Sequence, residues 1–170
     1  MTRINSDYLS DHFHLMRTDP ERYRAMAEQL IQAEPDNSDA YYTHHHVLTV
    51  LGRHEEALAD MDIVVRLDPQ WVTYESRANV LRNLGRYQEA VEDLDRAETI
   101  DPEGWNGGFG HLFRADCHAR LGNEEAALAD CAALPENHWT PGLLGAPKGT
   151  KPEVIREVRR LVAQAKSAKQ

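Results

Sequence analysis

The sequence predicts an all-α protein built from repeated helix–turn–helix units, and three observations carry that reading. LGRHEEALADMDIVVRLDPQ at residues 51–70 realigns without gaps on LGRYQEAVEDLDRAETIDPE at 84–103, an offset of 33 residues. A further copy opens as LGNEEAALADC at 121, offset by 37, with its additional length in the glycine-rich stretch 104–110. Inside each copy the apolar residues recur at three- and four-residue steps: Ala57, Leu58, Met61, Val64 and Val65 in one, Ala90, Val91, Leu94 and Ala97 in the next. That spacing marks one buried helix face per copy.

The punctuation fits the same unit. Gly52, Gly85 and Gly122 each follow a helical segment ending in Leu, where a left-handed C-terminal cap is expected, and Asp68-Pro69 and Asp101-Pro102 close the second helix. Asp19 before Pro20 reads as a helix start, and Pro20 to Ala33 followed by Pro35 reads, with Asp7 to Met16, as a degenerate upstream unit. The extra residues 104–110 read as an insertion in a connecting loop. Residues 135–150, PENHWTPGLLGAPKGT, read as a loop whose Trp139, Leu143 and Leu144 pin it to the last unit. Beyond it, Thr150 and Glu153 fit a capping box, with Pro152 in the first turn and an apolar stripe of Val154, Ile155, Val158, Leu161, Val162 and Ala165. This is the capping helix that covers the last apolar face of a stack of repeats.

Bulk properties bound the function. With 170 residues, 41% apolar and 28% charged, the chain has an ordinary globular composition and room for one domain with a core. MTRINSDYLSDHFH holds no signal-peptide apolar run, and no later segment approaches the roughly 18 apolar residues of a membrane span, so a soluble cytoplasmic protein is expected. Cys117 and Cys131 lack CxxC spacing and are expected as reduced, partly buried thiols. The net charge of −9 hides an asymmetry: residues 148–170 carry seven Lys/Arg against two Glu, so residues 1–147 carry −14. An acidic body disfavours nucleic acid, and the basic C-terminal helix is expected to dock on it, with Arg156, Arg159 and Arg160 facing outward or toward that body.

The repeat resembles the tetratricopeptide repeat family, whose pattern W-x2-L-G-x2-Y, A-x3-F, A and P spans about 34 residues. In residues 71–102 Tyr74, Ala78 and Leu81 stand in the first-helix places, Ala90, Leu94 and Ala97 in the second, and Pro102 at the end. In 38–69 those places hold Tyr41, His45, Leu48, Ala57, Met61, Val64 and Pro69, and from about 108 they hold His111, Ala115, His118, Ala127, Cys131 and Leu134. The resemblance implies an all-α, right-handed α-solenoid of helix–turn–helix repeats with a C-terminal capping helix. It divides a single domain, 1–170, into a degenerate repeat at 5–36, repeats at 38–70, 71–103 and 108–134, a loop at 135–150 and the capping helix at 151–168.

The triple His44-His45-His46 invites a metal or proton-transfer reading. Consecutive helical residues project about 100° apart, so the three cannot converge on one ion, and no HxxxH or HExxH occurs. By the resemblance, His44 and His45 fill packing places, the second normally small, and His46 looks into the concave groove. The groove residues so implied are Tyr42, His46, Glu75, Asn79, Arg82, Phe113, Asp116 and Arg120. Aromatics mixed with amides and charges suit a peptide or helix segment of a protein partner. The Lys/Asn clamp by which some family members hold chaperone tails is absent, since Tyr42, His46, Ser76, Phe109 and Phe113 occupy its places.

With no nucleophile motif, phosphate-binding loop or paired carboxylates, the expectation is a non-enzymatic interaction scaffold without cofactor or metal. A small-molecule- or metal-binding regulatory protein using the histidines is the alternative, and apolar solenoid edges leave a homodimer open.

Overall fold

The computed structural model describes residues 14–107, 109–140 and 146–168, and within these Asn106 and Gly107 by backbone only. The fold is all-α apart from one short hairpin. The chain divides into two compact units, the first ending at Pro69 and the second starting at Gln70. The first unit holds α1 (Pro20–Ala33), α2 (Ser38–Val50) and α3 (His54–Leu67). The second holds α4 (Trp71–Asn83), α5 (Tyr87–Ile100), α6 (Pro102–Gly107), α7 (Gly110–Leu121), α8 (Glu124–Ala133), β1 (Trp139–Thr140), β2 (Gly149–Thr150) and α9 (Lys151–Ser167). No helix among the described residues is long and apolar enough to cross a membrane.

Local chemistry sets the ends of these helices. Asp19 accepts the backbone N–H of Arg22 at 3.1 Å, with Pro20 opening α1. At the turns α2–α3, α4–α5 and α7–α8 the glycine sits at φ +74°, +75° and +82°. In each turn two backbone bonds close the helix end: Gly52 N–H to Thr49 O and Arg53 N–H to Leu48 O, with the same pattern at Gly85 and Gly122. This double closure satisfies carbonyls that a helix end otherwise leaves orphaned.

The hairpins pack through repeat-equivalent small and apolar residues. Ala57, Ala90 and Ala127 are fully buried, as are Met61, Leu94 and Cys131 at the next inward position of each second helix. The alanines let paired helices approach closely, while the larger residues fill the space between them.

Two sequence expectations change here. The 104–110 insertion is not merely a loop, because Pro102–Gly107 forms α6, started by Asp101, whose carboxylate accepts the Gly104 N–H at 3.0 Å. α6 carries Trp105 into the core, fully buried beneath the Arg114 guanidinium at 5.2 Å from the ring. A Cβ at Gly110 would lie 2.3 Å from that ring, so the indole occupies the volume a side chain there would need. Trp139 is not pinned down: it is 65% exposed on β1, where Thr140, paired with Gly149, is the buried residue. Leu143 and Leu144, like Asp7 upstream, lie outside the described residues.

α9 docks by its apolar stripe. Val154, Val158, Leu161 and Val162 are buried against α7 and α8, and Thr150 and Glu153 form the expected capping box. Lys151 clamps the start of α9 to the end of α8, its Nζ donating to Leu134 O at 2.7 Å and Ala132 O at 3.1 Å. Lys166 reaches Glu124 at 2.8 Å. By contrast, Arg160 turns back to Glu157 in its own helix.

Gly85→Ala isolates the turn constraint, because a Cβ there meets nothing within 4 Å and only the positive φ opposes it. The expected outcome is a loss of about 1–2 kcal/mol of stability in urea unfolding, with Gly85→Asn costing less.

Candidate functional site

In the second unit, α4 and α7 are the first helices of successive hairpins, and their packing brings five of the eight expected groove residues into one network. Asn79 and Asp116 occupy the same repeat position, and Arg82, one turn beyond Asn79, joins them. The Arg82 guanidinium donates to Asp116 Oδ2 at 2.7 and 3.3 Å and to Asn79 Oδ1 at 2.9 Å. Arg120, one turn past Asp116 on α7, donates to Asp116 Oδ1 at 2.9 Å and stands over the Tyr87 ring at 5.4 Å. The Arg82 guanidinium also lies 4.6 Å from the centre of the Phe113 ring. Two guanidiniums thus share one carboxylate.

Burial sorts these residues by task. The side chains of Arg82 and Asp116 are 2% and 1% exposed, and Phe113 is buried too. They support the face rather than present it. Glu75, Asn79 and Arg120 remain half-buried. Burial lowers the Arg120 pKa and the adjacent Asp116 charge more than offsets it, leaving it raised.

Glu75 is the other sensitive group. Burial pushes its pKa up, and a bond to the Phe109 backbone only partly opposes this, so its charge is poorly compensated. Its Oε2 is buried with no hydrogen-bond partner among the described residues. Asn79, one turn along α4, spends its carbonyl on Arg82, and its NH2 group has no partner there either.

Tyr42 and His46 belong to the first unit. There Tyr42, His45 and His46 form an aromatic cluster, edge-on at 4.7 Å between ring centroids for Tyr42–His45 and tilted at 4.1 Å for His45–His46. His45 fills a place held by Ala78 and Ala115 in the later repeats, and it is only 3% exposed with Nδ1 unpartnered. Burial, reinforced by the neighbouring His46 and His44, holds its pKa well below the ordinary imidazole value despite a bond to the Tyr42 backbone. His46 is more open, and partial desolvation of its ring lowers its pKa as well. Among the described residues, no group of three or more His, Cys, Asp or Glu is placed to hold a metal ion.

His44 departs from the packing role expected of it. Its Nδ1 lies 2.8 Å from Asp60 Oδ2, across the α2–α3 hairpin, with Glu28 of α1 3.7 Å from Nε2. The equivalent positions in the second unit are Arg77, bidentate to Asp93 at 2.7 Å, and Arg114, which holds Asp130 at 2.8 Å. His111 adds a contact to Asp130 at 3.0 Å. Each hairpin therefore buries one aspartate of its second helix against a basic side chain of its first. The signal was the aspartate shared by the aligned copies.

Comparison with known proteins agrees with this architecture. Residues 46–104 match the family model described as tetratricopeptide repeat. No curated protein is significantly similar in sequence. Among solved structures, the crystal structure of MamA protein superposes at TM-score 0.67, with 13% identity, covering 98% of this chain and 92% of that one. YrrB, described as a TPR protein with an unusual peptide-binding site, superposes at TM-score 0.63, with 19% identity, covering 91% and 78%. These matches place the fold class among the tetratricopeptide repeat α-solenoids.

Two measurements check the site. Asp116→Asn leaves the buried Arg82 without its counter-charge, so a stability loss of about 3–5 kcal/mol is expected in chemical unfolding, whereas breaking the exposed Arg53–Glu56 pair should leave the unfolding curve little changed. For His45 the folded pKa lies below the unfolded one, so its stabilising contribution is whole above pH about 6.5 and falls away below it. Stability should drop by up to about 1.4 kcal/mol per pH unit through this one group, and His45→Ala should flatten the thermal midpoint between pH 6.5 and 5.5.

Proposed function

We propose that this chain, with its tetratricopeptide repeat fold, is a protein-interaction scaffold that acts without catalysis. In this reading the α4–α7 face of the second unit holds an extended segment of a protein partner. One observation carries the reading: on α4, the unpartnered Glu75 Oε2 and the unpartnered Asn79 NH2 stand one helical turn apart. That pairs an acceptor with a donor, which a peptide backbone can satisfy with its own N–H and C=O. The buried Arg82–Asp116 pair beneath fixes Asn79, so little ordering is left to binding. Phe109, 40% exposed beside Phe113, supplies apolar contact at the edge of the face.

The fit to a peptide rests on complementarity rather than on charge. A backbone carbonyl accepting from the half-buried Asn79 NH2 group engages a donor the network leaves free, a bond worth about 0.5–1.5 kcal/mol net. YrrB, with the same fold class, is described as having an unusual peptide-binding site, and that precedent supports looking for a peptide here.

The test is a pull-down from lysate with wild-type protein and with Glu75→Gln/Asn79→Ala, partners identified by mass spectrometry and titrated by calorimetry. Affinity should fall about tenfold or more in the variant with the melting curve unchanged. Equal capture and equal affinity would remove the α4–α7 face from the interaction.

A further inference from the structure

A second feature of the same unit lies at the junction of α7 and α9. A cavity of about 620 Å³ opens there, lined by Arg120, Lys148, Arg156 and Arg160 together with Glu153 and Glu157. Leu161 and Ala146, both buried, contribute apolar surface to it. Its size falls within the range of roughly 300–1,000 Å³ usual for ligand clefts.

The two carboxylates in this cavity are already engaged. Glu153 accepts the Thr150 N–H at 2.7 Å and its hydroxyl at 2.8 Å, serving the α9 cap. Glu157 accepts Arg160 at both oxygens, at 2.7 and 2.5 Å. Lys148 and Arg156 are exposed, and neither has a carboxylate within ion-pair distance among the described residues. Behind the cavity, Arg120 shares Asp116 with Arg82, so that buried cluster carries one more positive charge than negative. The cavity is therefore cationic in a chain whose residues 1–147 carry −14.

We propose that this cavity binds the carboxylates of a short acidic peptide segment, its charges received by Lys148, Arg156 and Arg120. This rests on the reading of the adjoining α4–α7 face as a peptide surface and adds the chemistry of the segment: Arg120 belongs to both, so a segment crossing that face reaches the cavity. The cations come from three separate stretches, the end of α7, the loop before β2, and α9. That spread suits several carboxylates better than one inorganic ion. A long polyanion such as RNA would extend onto the acidic remainder of the chain, whereas a short segment is confined to the cavity.

The experiment uses the full chain and a fluorescein-labelled hexaglutamate peptide, followed by anisotropy at low and high salt. Binding should be saturable, weakened by salt, and weakened about tenfold in Lys148→Ala/Arg156→Ala, the size expected for two lost charge contacts. Both side chains are exposed and outside the ion pairs described, so the melting curve of that variant should match wild type. Unchanged affinity in the double variant overturns the proposal, as does binding no tighter than that of a Gly-Ser peptide. Displacement of hexaglutamate by millimolar inorganic phosphate, or by short single-stranded RNA at lower concentration than hexaglutamate itself, also overturns it. If Glu75→Gln/Asn79→Ala captures partners like wild type while Lys148→Ala/Arg156→Ala loses hexaglutamate, the cavity stands and the α4–α7 face falls. If the first variant loses its partner and the second binds hexaglutamate like wild type, the face stands and the cavity falls.

Discussion

The α2–α3, α4–α5 and α7–α8 hairpins are each organised around a buried carboxylate that needs a hydrogen-bonding partner. Asp60, Asp93 and Asp130 are 8%, 6% and 5% exposed, and an ionised carboxylate removed from water to that degree is costly unless paired. The partner comes from the first helix each time, which ties the rotation of one helix about its axis to that of the other. Apolar packing alone tolerates some sliding, because Ala, Val and Leu contacts are nondirectional. A bidentate guanidinium does not, and Arg77 on Asp93 fixes one register for α4 against α5. Where His44 replaces arginine, the first unit keeps the contact with fewer donors, and a second carboxylate, Glu28, stands nearby.

The α4–α7 face depends on a further ion pair of the same kind but of different reach. Arg82 and Asp116 join helices of successive hairpins rather than the two arms of one, at a sequence separation of 34. Their pairing fixes the spacing between α4 and α7, and with it the position of Asn79 on the open side. The charges therefore act through geometry. The network leaves Glu75, Asn79 and Arg120 half-buried, with the cationic cavity beyond.

Much of this was readable from sequence where the determinant was local. The left-handed glycines, the Asp19 cap and the Thr150–Glu153 box each need only a few adjacent residues, and the resemblance to the repeat family placed Glu75, Asn79 and Arg82 on one row. Non-local determinants were not readable in the same way. That His44 faces Asp60 depends on how two helices 16 residues apart meet, and in the aligned repeat its place looked like one for packing. Exposure was also hidden: Arg82 and Asp116 looked like contact residues, since charge alone does not disclose a partner 34 residues away. The insertion misled for a related reason, because its glycines suggested a loop when their absent side chains make space for Trp71 and Trp105.

The tryptophans give the two units separate optical identities. All three, Trp71, Trp105 and Trp139, lie after Gln70, so indole emission reports the second unit and the first is silent in it. They also sample three environments: half-buried, fully enclosed and largely open to water. Trp105 follows the integrity of the core under Arg114, while Trp139 on its short strand is open to quenchers throughout. A mixture of blue-shifted and red-shifted emission from one folded chain is thus a property of where the insertion and the final hairpin carry their indoles, and tyrosine is left to speak for the histidine-rich half.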